Sequence, residues 1–438
     1  MSDPIPGIVW PPLNGHVGDM LATLRATETL TRTEIKTGQL NQLRSLAAHA
    51  RAQTAWGRRH LPEELTWESF RALPVLDRAF VQSHEQELHA ARWPAQHGTA
   101  HEVVTSGSTG TPVRVLKSFL IGSLWQSVTA RDHVWHRRDL ALKLGAIRAA
   151  PWAPYPGLHD KTWGGPAEML GGTGPSCILS IDTPPQRQLD WLDEQGDVAY
   201  LVTFPSNLAE LLRLCEQRGS GLPALRAIRT VSEPVTDELR ARCRNILGVD
   251  IVDQYSTQEV GYIALQRPDG PGLYVMADTH VVEILDDAGS PCAPGEIGRV
   301  VVTPLHNFCM PLFRYAVGDL ALVGKPGPLP YPVIERVFGR TRNLLLTPDG
   351  TRRWVFLSTK RLMEVAPLIQ LQLVQTALDR VDVRLVVERA VSDDEEQDMR
   401  AHLGPLFEAG TEFTFSYVDH IPRGPGGKFE DFICAVPD

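Results

Sequence analysis

Between residues 105 and 112 the chain reads Thr-Ser-Gly-Ser-Thr-Gly-Thr-Pro, with Gly107 and Gly110 set among the hydroxyl side chains of Thr105, Ser106, Ser108 and Thr109. Glycine lets backbone N–H groups turn toward an anion without a Cβ in the way, and the hydroxyls add donors. The segment is therefore a candidate cradle for a triphosphate. An ordinary serine-rich turn has the same composition. The GxxxxGK[ST] phosphate loop is a different object: no Lys-Ser/Thr pair follows here, and the next residues, VRVL, read as a strand. Kinase or GTPase chemistry of that type is disfavoured.

Two later segments carry groups of the right type for a nucleotide. Asp253 to Glu259, DQYSTQE, follows an apolar run, and strand ends of this kind point side chains into the ligand crevice of an α/β sheet. Tyr255 offers a ring that can stack on a purine, and Glu259 a carboxylate that can hold Mg²⁺ on phosphates. A strand-end tyrosine and a solvated glutamate fit the same letters. Phe313 to Asp319, FRYAVGD, ends on an aspartate after a glycine, suited either to two ribose hydroxyls or to a plain turn. Lys428 sits in a polar, glycine-rich tail, PRGPGGK, where a solvated side chain is the ordinary expectation.

These groups need a frame to position them, and 438 residues are more than one hydrophobic core usually supports. Hydrophobic residues at 43% and charged residues at 22% are those of an ordinary globular protein, which excludes disorder. Net charge is -9, and the Lys and Arg residues are scattered, so a nucleic-acid footprint is missing. The six cysteines are far apart, with no CxxC pair, and read as reduced, mostly buried thiols. The start of the chain lacks a basic stretch followed by an apolar one, and no apolar run approaches the roughly 18 residues of a membrane span. A cytoplasmic enzyme that contacts neither nucleic acid nor membrane is expected.

Residues 20 to 100 read as a helical scaffold. From 101 onward short apolar runs (HEVVT, DVAYLVTF, VDIVDQY, GRVVVTPL) alternate with helices. Ser206 is the expected cap of a helix that places Leu208, Leu211, Leu212 and Cys215 on one face. Thr236 and Gly248 bracket a second helix. This alternation predicts a layered α/β body. The pattern breaks near 339, after the proline- and glycine-rich GKPGPLPYP. The expected organisation is a large multi-sheet α/β domain over residues 1–339 and a small, mobile α+β domain over 340–438.

Taken in order, TSGSTGTP, SEP at 232–234, YSTQE, RYAVGD, GRTR and PRGPGGK resemble the adenylate-forming superfamily of acyl-CoA synthetases, adenylation domains and luciferases, and within it the phenylacetate-CoA ligase branch. The resemblance runs from LPVLDR to GKFEDF. It implies that Thr105, Ser106, Gly107, Ser108, Thr109 and Gly110 embrace the ATP phosphates, that Ser232, Glu233 and Pro234 border the adenine, and that Tyr255 and Ser256 flank the nucleotide. It further implies that Asp319 binds the ribose, that Glu259 holds Mg²⁺, that Arg340 reaches ribose or phosphate, that the small domain turns about Arg342, and that Lys428 is the catalytic lysine. ATP and Mg²⁺ are the implied cofactors.

The chain also departs from that pattern. Thr111 stands where many relatives have lysine, Ser256 replaces a common glycine, and Gln258 a threonine or serine. Arg342 replaces an aspartate or lysine, and TPDGTRRWVFLSTKR matches the thiol-tunnel segment of CoA ligases poorly, with only Gly350 suggestive. Where some relatives carry zinc ligands this chain has His280 alone, so no zinc is expected. Trp152, Tyr155, Trp163 and Phe204 supply aromatic surface that suits an aryl acid or serves as plain core, and His159 and Lys161 are candidates for a polar substituent. The expected reaction is activation of a small, aryl or related carboxylic acid as an acyl-adenylate, then transfer to CoA. The alternative acceptors are an amine, another small nucleophile or a carrier-protein thiol, and a homodimer is compatible with either. A catalytically silent nucleotide-binding protein is the reading from a different class.

Overall fold

Apolar runs without helical spacing build the first sheet. Val198–Thr203 is buried at every position but Val202, the pattern of a parallel strand covered on both faces. In spatial order the sheet runs Leu158–Asp160, Ser176–Ser180, Lys143–Arg148, Val198–Thr203, Ala227–Thr230 and Asp250–Val252. Only the first of these strands is antiparallel to its neighbour. The structure is a computed structural model and describes the chain apart from residues 1–3, 14–16, 106–111, 341–343, 354, 356–361, 363–364, 425–426 and 437–438. The chain divides into two compact units, Met1–Phe338 and Gly339–Asp438.

Helices Pro185–Gln195, Pro205–Arg218 and Asp237–Leu247 connect these strands. Each stops at a glycine in the left-handed region, Gly196, Gly219 and Gly248. Thr236 caps the third helix, accepting from the Leu239 N–H at 3.1 Å. Ser206 does not cap the second, contrary to expectation. Pro205 takes the first helical position, where its fixed φ and missing N–H are no loss, and Phe204 becomes the flanking residue. Leu208, Leu211, Leu212 and Cys215 face the core formed with Ile147, Leu179 and Trp191.

The run VDIVDQY, expected as one strand, is cut in two at Asp253. Asp250–Val252 ends the first sheet, and Gln254–Thr257 begins a second. Gln266 holds the crossing, its amide oxygen accepting from the Asp253 N–H at 2.8 Å. The second sheet has the order His280–Leu285, Ile297–Pro304, Tyr315–Val323, Val333–Arg340, Leu273–Val275, Gly261–Gln266 and Gln254–Thr257. The 17-residue helix Phe119–Trp135 shares a core with this sheet through Leu120, Leu124 and Val128. Its Asp132 is buried and paired with Arg138 at 2.6 Å and Arg229 at 3.7 Å. Arg229 also binds Gln254 at 2.8 Å, so one ion network joins the helix to both sheets.

The second unit is a four-stranded sheet, Glu412–Tyr417, Arg380–Val387, Leu368–Ala377 and Phe432–Cys434, under the helix Asp393–Leu403. Ser392 and Glu395 form a capping box at the start of that helix. Met399 and Leu403 pack on Leu373, Val383, Leu385 and Phe432. Among the described residues no helix is long and apolar enough to cross a membrane.

Candidate active site

Tyr255 lies on the edge strand Gln254–Thr257, and its hydroxyl donates to Asp319 Oδ2 at 2.6 Å. Asp319 belongs to Tyr315–Val323, four places away in the sheet order. Four strand spacings in a flat sheet would be about 19 Å, beyond the reach of the two side chains. The sheet therefore curls, and the curl brings together two residues read separately from the sequence. Both are buried, at 7% and 9% exposure.

The LPVLDR segment comes to the same sheet. Leu76 and the strand exchange backbone bonds, Leu76 N–H to Arg314 O at 2.9 Å and Ala316 N–H to Leu76 O at 2.8 Å. Asp77 then caps the helix Arg78–Ser83, accepting from the Phe80 N–H at 2.7 Å, and this makes Arg78 the first helical residue. Its guanidinium bridges two candidate groups: Glu259 Oε1 at 3.3 Å and Thr105 Oγ1 at 3.1 Å. Thr105 also pairs with Val113, by its N–H to Val113 O at 2.9 Å and by its hydroxyl accepting the Val113 N–H at 3.1 Å. The ends of the 105–113 loop are thus pinned, while Ser106, Gly107, Ser108, Thr109, Gly110 and Thr111 themselves lie outside the described residues. Glu259 stands in the turn between Gln254–Thr257 and Gly261–Gln266 and is buried, whereas its neighbour Gln258 is exposed.

Ser232, Glu233 and Pro234 form a turn after Ala227–Thr230. Ser232 is exposed, with φ at 71°, a left-handed value that favours glycine. Glu233 accepts from the Ser206 N–H at 2.9 Å and the Ser206 hydroxyl at 3.1 Å. It therefore supplies, from outside the helix, the acceptor expected of Ser206 at the N-terminus of Pro205–Arg218. Ser256 is half-buried and registers opposite Tyr262.

Beside Glu259 opens a cleft. Ile121, Leu124, Trp125 and Val128 of Phe119–Trp135 form one wall, and Val260, Gly261 and Tyr262 form another. The Trp125 and Tyr262 rings stack, with centroids 4.1 Å apart. Lys117, Thr279, His280, Pro304, His306 and Asn307 complete the lining. Burial pulls the Lys117 ammonium down to about 8 against the opposing pull of Glu259, and pushes His280 and His306 down to about 4.

The aromatic residues expected to line an acid pocket are not on this cleft. Phe204 is fully buried in the core of the six-stranded sheet. The Trp163 indole donates to Leu142 O at 2.8 Å, and its ring meets Tyr200 edge-on. The Tyr155 hydroxyl donates to Glu194 at 3.2 Å, and the Arg187 guanidinium lies 4.0 Å from its ring. Each satisfies a local structural need, and aromatic content does not distinguish those needs from ligand contact. Arg78, Lys117, His306 and Asn307 escape a sequence reading because each lies at the edge of an apolar run or helix start with no motif of its own; the position of Arg78 within LPVLDR is the only cue.

In the second unit Lys428 is half-buried. Its carbonyl accepts from the Gly424 N–H at 2.8 Å, closing the glycine-rich loop. The loop is tied to the sheet by Leu373 N–H to Asp431 O and Gln372 Nε2 to Glu430 O, both at 2.8 Å. Arg340 ends the strand Val333–Arg340, and Arg342 lies outside the described residues.

A Mg²⁺ ion on this site would rest on one protein carboxylate. Glu259 fits that role chemically: it is a hard oxygen donor, and Oε2 has no hydrogen bond among the described residues. Mg²⁺ commonly takes one or two carboxylates and completes its shell with phosphates and water. Among the described residues no group of three His, Cys, Asp or Glu side chains could hold a metal by itself.

The fold is that of the adenylate-forming ligases. A solved 2-hydroxyisobutyryl-CoA ligase in its postadenylation state, bound to 2-HIB-AMP, superposes with a TM-score of 0.71 over 94% of this chain and 91% of that one, at 17% identity. An anthranilate CoA ligase bound to anthranoyl-AMP gives 0.56 over 78% and 66%, at 18% identity.

In sequence the chain resembles two curated proteins in particular. It is 27% identical to protein CapK of Staphylococcus aureus over 208 residues, 46% of this chain and 45% of that protein. It is 25% identical to the phenylacetate-coenzyme A ligase of Thermus thermophilus over 317 residues, 68% of this chain and 67% of that one. Against CapK and a Pseudomonas putida phenylacetate-coenzyme A ligase, the match spans less than half of the relative's length, 45% and 42%. The CapK C-terminal domain matches residues 355–434.

Proposed function

We propose that this chain uses ATP to activate a small carboxylic acid as an acyl-adenylate and then passes the acyl group to CoA. The observation that supports this best is the Tyr255–Asp319 hydrogen bond, because it puts a ring and a ribose-type carboxylate side by side on the curled sheet. Arg78, Glu259 and Thr105 cluster on the same unit, at the base of the glycine–hydroxyl loop.

In the first half-reaction a carboxylate oxygen of the acid attacks the α-phosphorus of ATP. An O–P bond forms, the bond from the α-phosphorus to the bridging oxygen breaks, and pyrophosphate leaves. Asp319 accepts from the ribose hydroxyls, Tyr255 holds Asp319 and flanks the base, and Ser232, Glu233 and Pro234 border the adenine beside Ser256. Thr105 and the loop Ser106 to Gly110 donate to the phosphates. Glu259 would hold Mg²⁺, which when bound offsets phosphate charge. Lys428 supplies the mobile cation that meets the charge developing between acid and α-phosphate. Arg340 reaches ribose or phosphate, and Arg342 is the pivot of the small domain, 340–438.

In the second half-reaction the CoA sulfur attacks the acyl carbon, the bond to AMP breaks, and the thiol proton is released. Trp125 and Tyr262, rather than Phe204, Trp163 and Tyr155, supply the aromatic walls for the acid. Such a ligase works in the cytoplasm, where ATP and CoA are at hand. A second reading, transfer to an amine or a carrier-protein thiol, is favoured by residues 347–361, which depart from the thiol-tunnel segment of CoA ligases.

The test is pyrophosphate release from ATP across a panel of aryl, aliphatic and amino acids, with product analysis in the presence and absence of CoA. Acid-dependent release with an acyl-CoA product is expected. Release without a CoA product would favour the second reading, and no acid-dependent release would end both.

A further inference from the structure

Three polar side chains on the cleft, each more than nine-tenths buried, have unused hydrogen-bonding capacity among the described residues. Asn307 donates both amide hydrogens to carbonyls, Leu116 O at 2.9 Å and Met310 O at 3.2 Å. Two carbonyl partners fix which end of the amide is nitrogen, so Oδ1 faces away as an acceptor, and it has no partner among those residues. His306 contacts Trp10 O through Nε2 at 3.1 Å, which puts the proton on Nε2 and leaves Nδ1 as a bare lone pair, likewise without a partner. Burial keeps that ring neutral at physiological pH. Lys117 is 8% exposed and makes no hydrogen bond or ion pair among the described residues. The Leu116 carbonyl that orients Asn307 directly precedes Lys117, and His306 is the neighbour of Asn307, so the backbone links all three residues on the lining of one cleft.

This combination selects a functional group. A carboxylate or phosphate would suit Lys117 but would present lone pairs to His306 Nδ1 and Asn307 Oδ1. An ammonium would suit the two acceptors but would face Lys117, which burial weakens without neutralising at pH 7. An alkyl or plain phenyl group would leave all three groups unsatisfied, an arrangement that buried polar atoms resist. A hydroxyl does both jobs, accepting from the ammonium and donating to one of the lone pairs.

We propose that the acid taken by this chain carries at least one hydroxyl group remote from its carboxylate, held by Lys117 as donor and by His306 Nδ1 or Asn307 Oδ1 as acceptor, alongside the stacked Trp125 and Tyr262 rings. The proposal rests on carboxylate activation for the identity of the occupant, and it narrows the class of acid to hydroxylated ones. Sites built around a ligand hydroxyl reject the analogue lacking it by orders of magnitude.

The experiment compares matched pairs with the full chain: 4-hydroxybenzoate and benzoate, 3- and 4-hydroxyphenylacetate and phenylacetate, 3-hydroxybutyrate and butyrate. Acid-dependent ATP–pyrophosphate exchange gives kcat/KM for each, and calorimetric titration gives the affinity without turnover. At least one hydroxylated member is expected to exceed its partner about thirtyfold or more. In a folded Lys117→Met variant that ratio should fall below about threefold, and Lys117→Arg should recover part of it. Preference for the hydroxyl-free members, or a ratio unchanged in Lys117→Met, overturns the proposal. If no acid is turned over, a Lys117-dependent preference in the titration still supports the pocket chemistry while the activity reading fails. If no acid binds, the pocket chemistry fails as well.

Discussion

The Tyr255 hydroxyl and Asp319 Oδ2 are 2.6 Å apart, although their strands are four places apart in the sheet. The bond holds one oxygen of that carboxylate in place, and so helps to set the plane in which a ribose would meet it.

Tyr255→Phe removes that bond and keeps the ring. The folded protein should lose only about 1 kcal/mol of stability, while KM for ATP rises about tenfold with a smaller change in kcat. Asp319→Ala should raise KM for ATP by about a hundredfold. Steady-state kinetics at saturating acid, with denaturant titration as a control, check both.

Arg78 is predicted to matter to activity more than to the fold. Arg78→Ala should cut acid-dependent pyrophosphate exchange about tenfold or more, because both Glu259 and Thr105 lose a charged partner. Arg78→Lys should restore little, since one ammonium cannot fork to two acceptors as a guanidinium does. Equal rates for the two variants and the parent would remove Arg78 from the site.

Arg314 lies five residues before Asp319, yet its task is structural. It holds φ at 50°, pairs with Glu283 at 3.0 Å and donates to Leu73 O at 2.6 Å. Arg314→Ala leaves Glu283 without its cation and uncaps carbonyls at the start of LPVLDR. A loss of about 3–5 kcal/mol in unfolding free energy is expected, measured by urea titration.

Acid should weaken the fold well before the carboxylates titrate in bulk. Burial pushes His280 and His306 from 6.5 to about 4, and His133 to about 3, with Arg138 adding to the His133 shift. The unfolded chain takes up these protons near pH 6.5 and the folded chain does not, so stability is lost as pH falls from about 6.5 toward 4. A shift of that size corresponds to about 3 kcal/mol per histidine when fully expressed. At Asp132 burial is outweighed by Arg138 and Arg229, which hold the carboxyl well below its usual range, and this adds a loss below about pH 4. Asp253, raised by burial to about 6, works the other way between about 6 and 4, and is outnumbered. The urea midpoint should therefore drop steadily from about pH 7 to pH 4.5, and a flat profile would contradict these assignments.

What the sequence made legible were contiguous segments in which several chemically capable residues fall together. Tyr255 and Glu259 share one strand-turn segment, and Asp319 sits behind a glycine in another; the sequence alone does not show that the sheet curls and joins them. The helix bracketed by Thr236 and Gly248 is readable because its caps are local chemistry. The cap at Ser206 is not, because its acceptor comes from Glu233, 27 residues away. Lys117, His306 and Asn307 are ordinary letters in apolar surroundings, and only packing makes them neighbours. Tyr155 and Trp163 are attractive by type, but each is engaged by a local partner that composition cannot reveal.

Lys428 tests the account most directly. Acid-dependent ATP–pyrophosphate exchange by Lys428→Ala should fall by about a hundredfold or more, while its affinity for ATP, measured by calorimetry, stays within about threefold of the parent. Exchange at the parental rate in Lys428→Ala would contradict the claim that this chain activates its acid with a tail lysine.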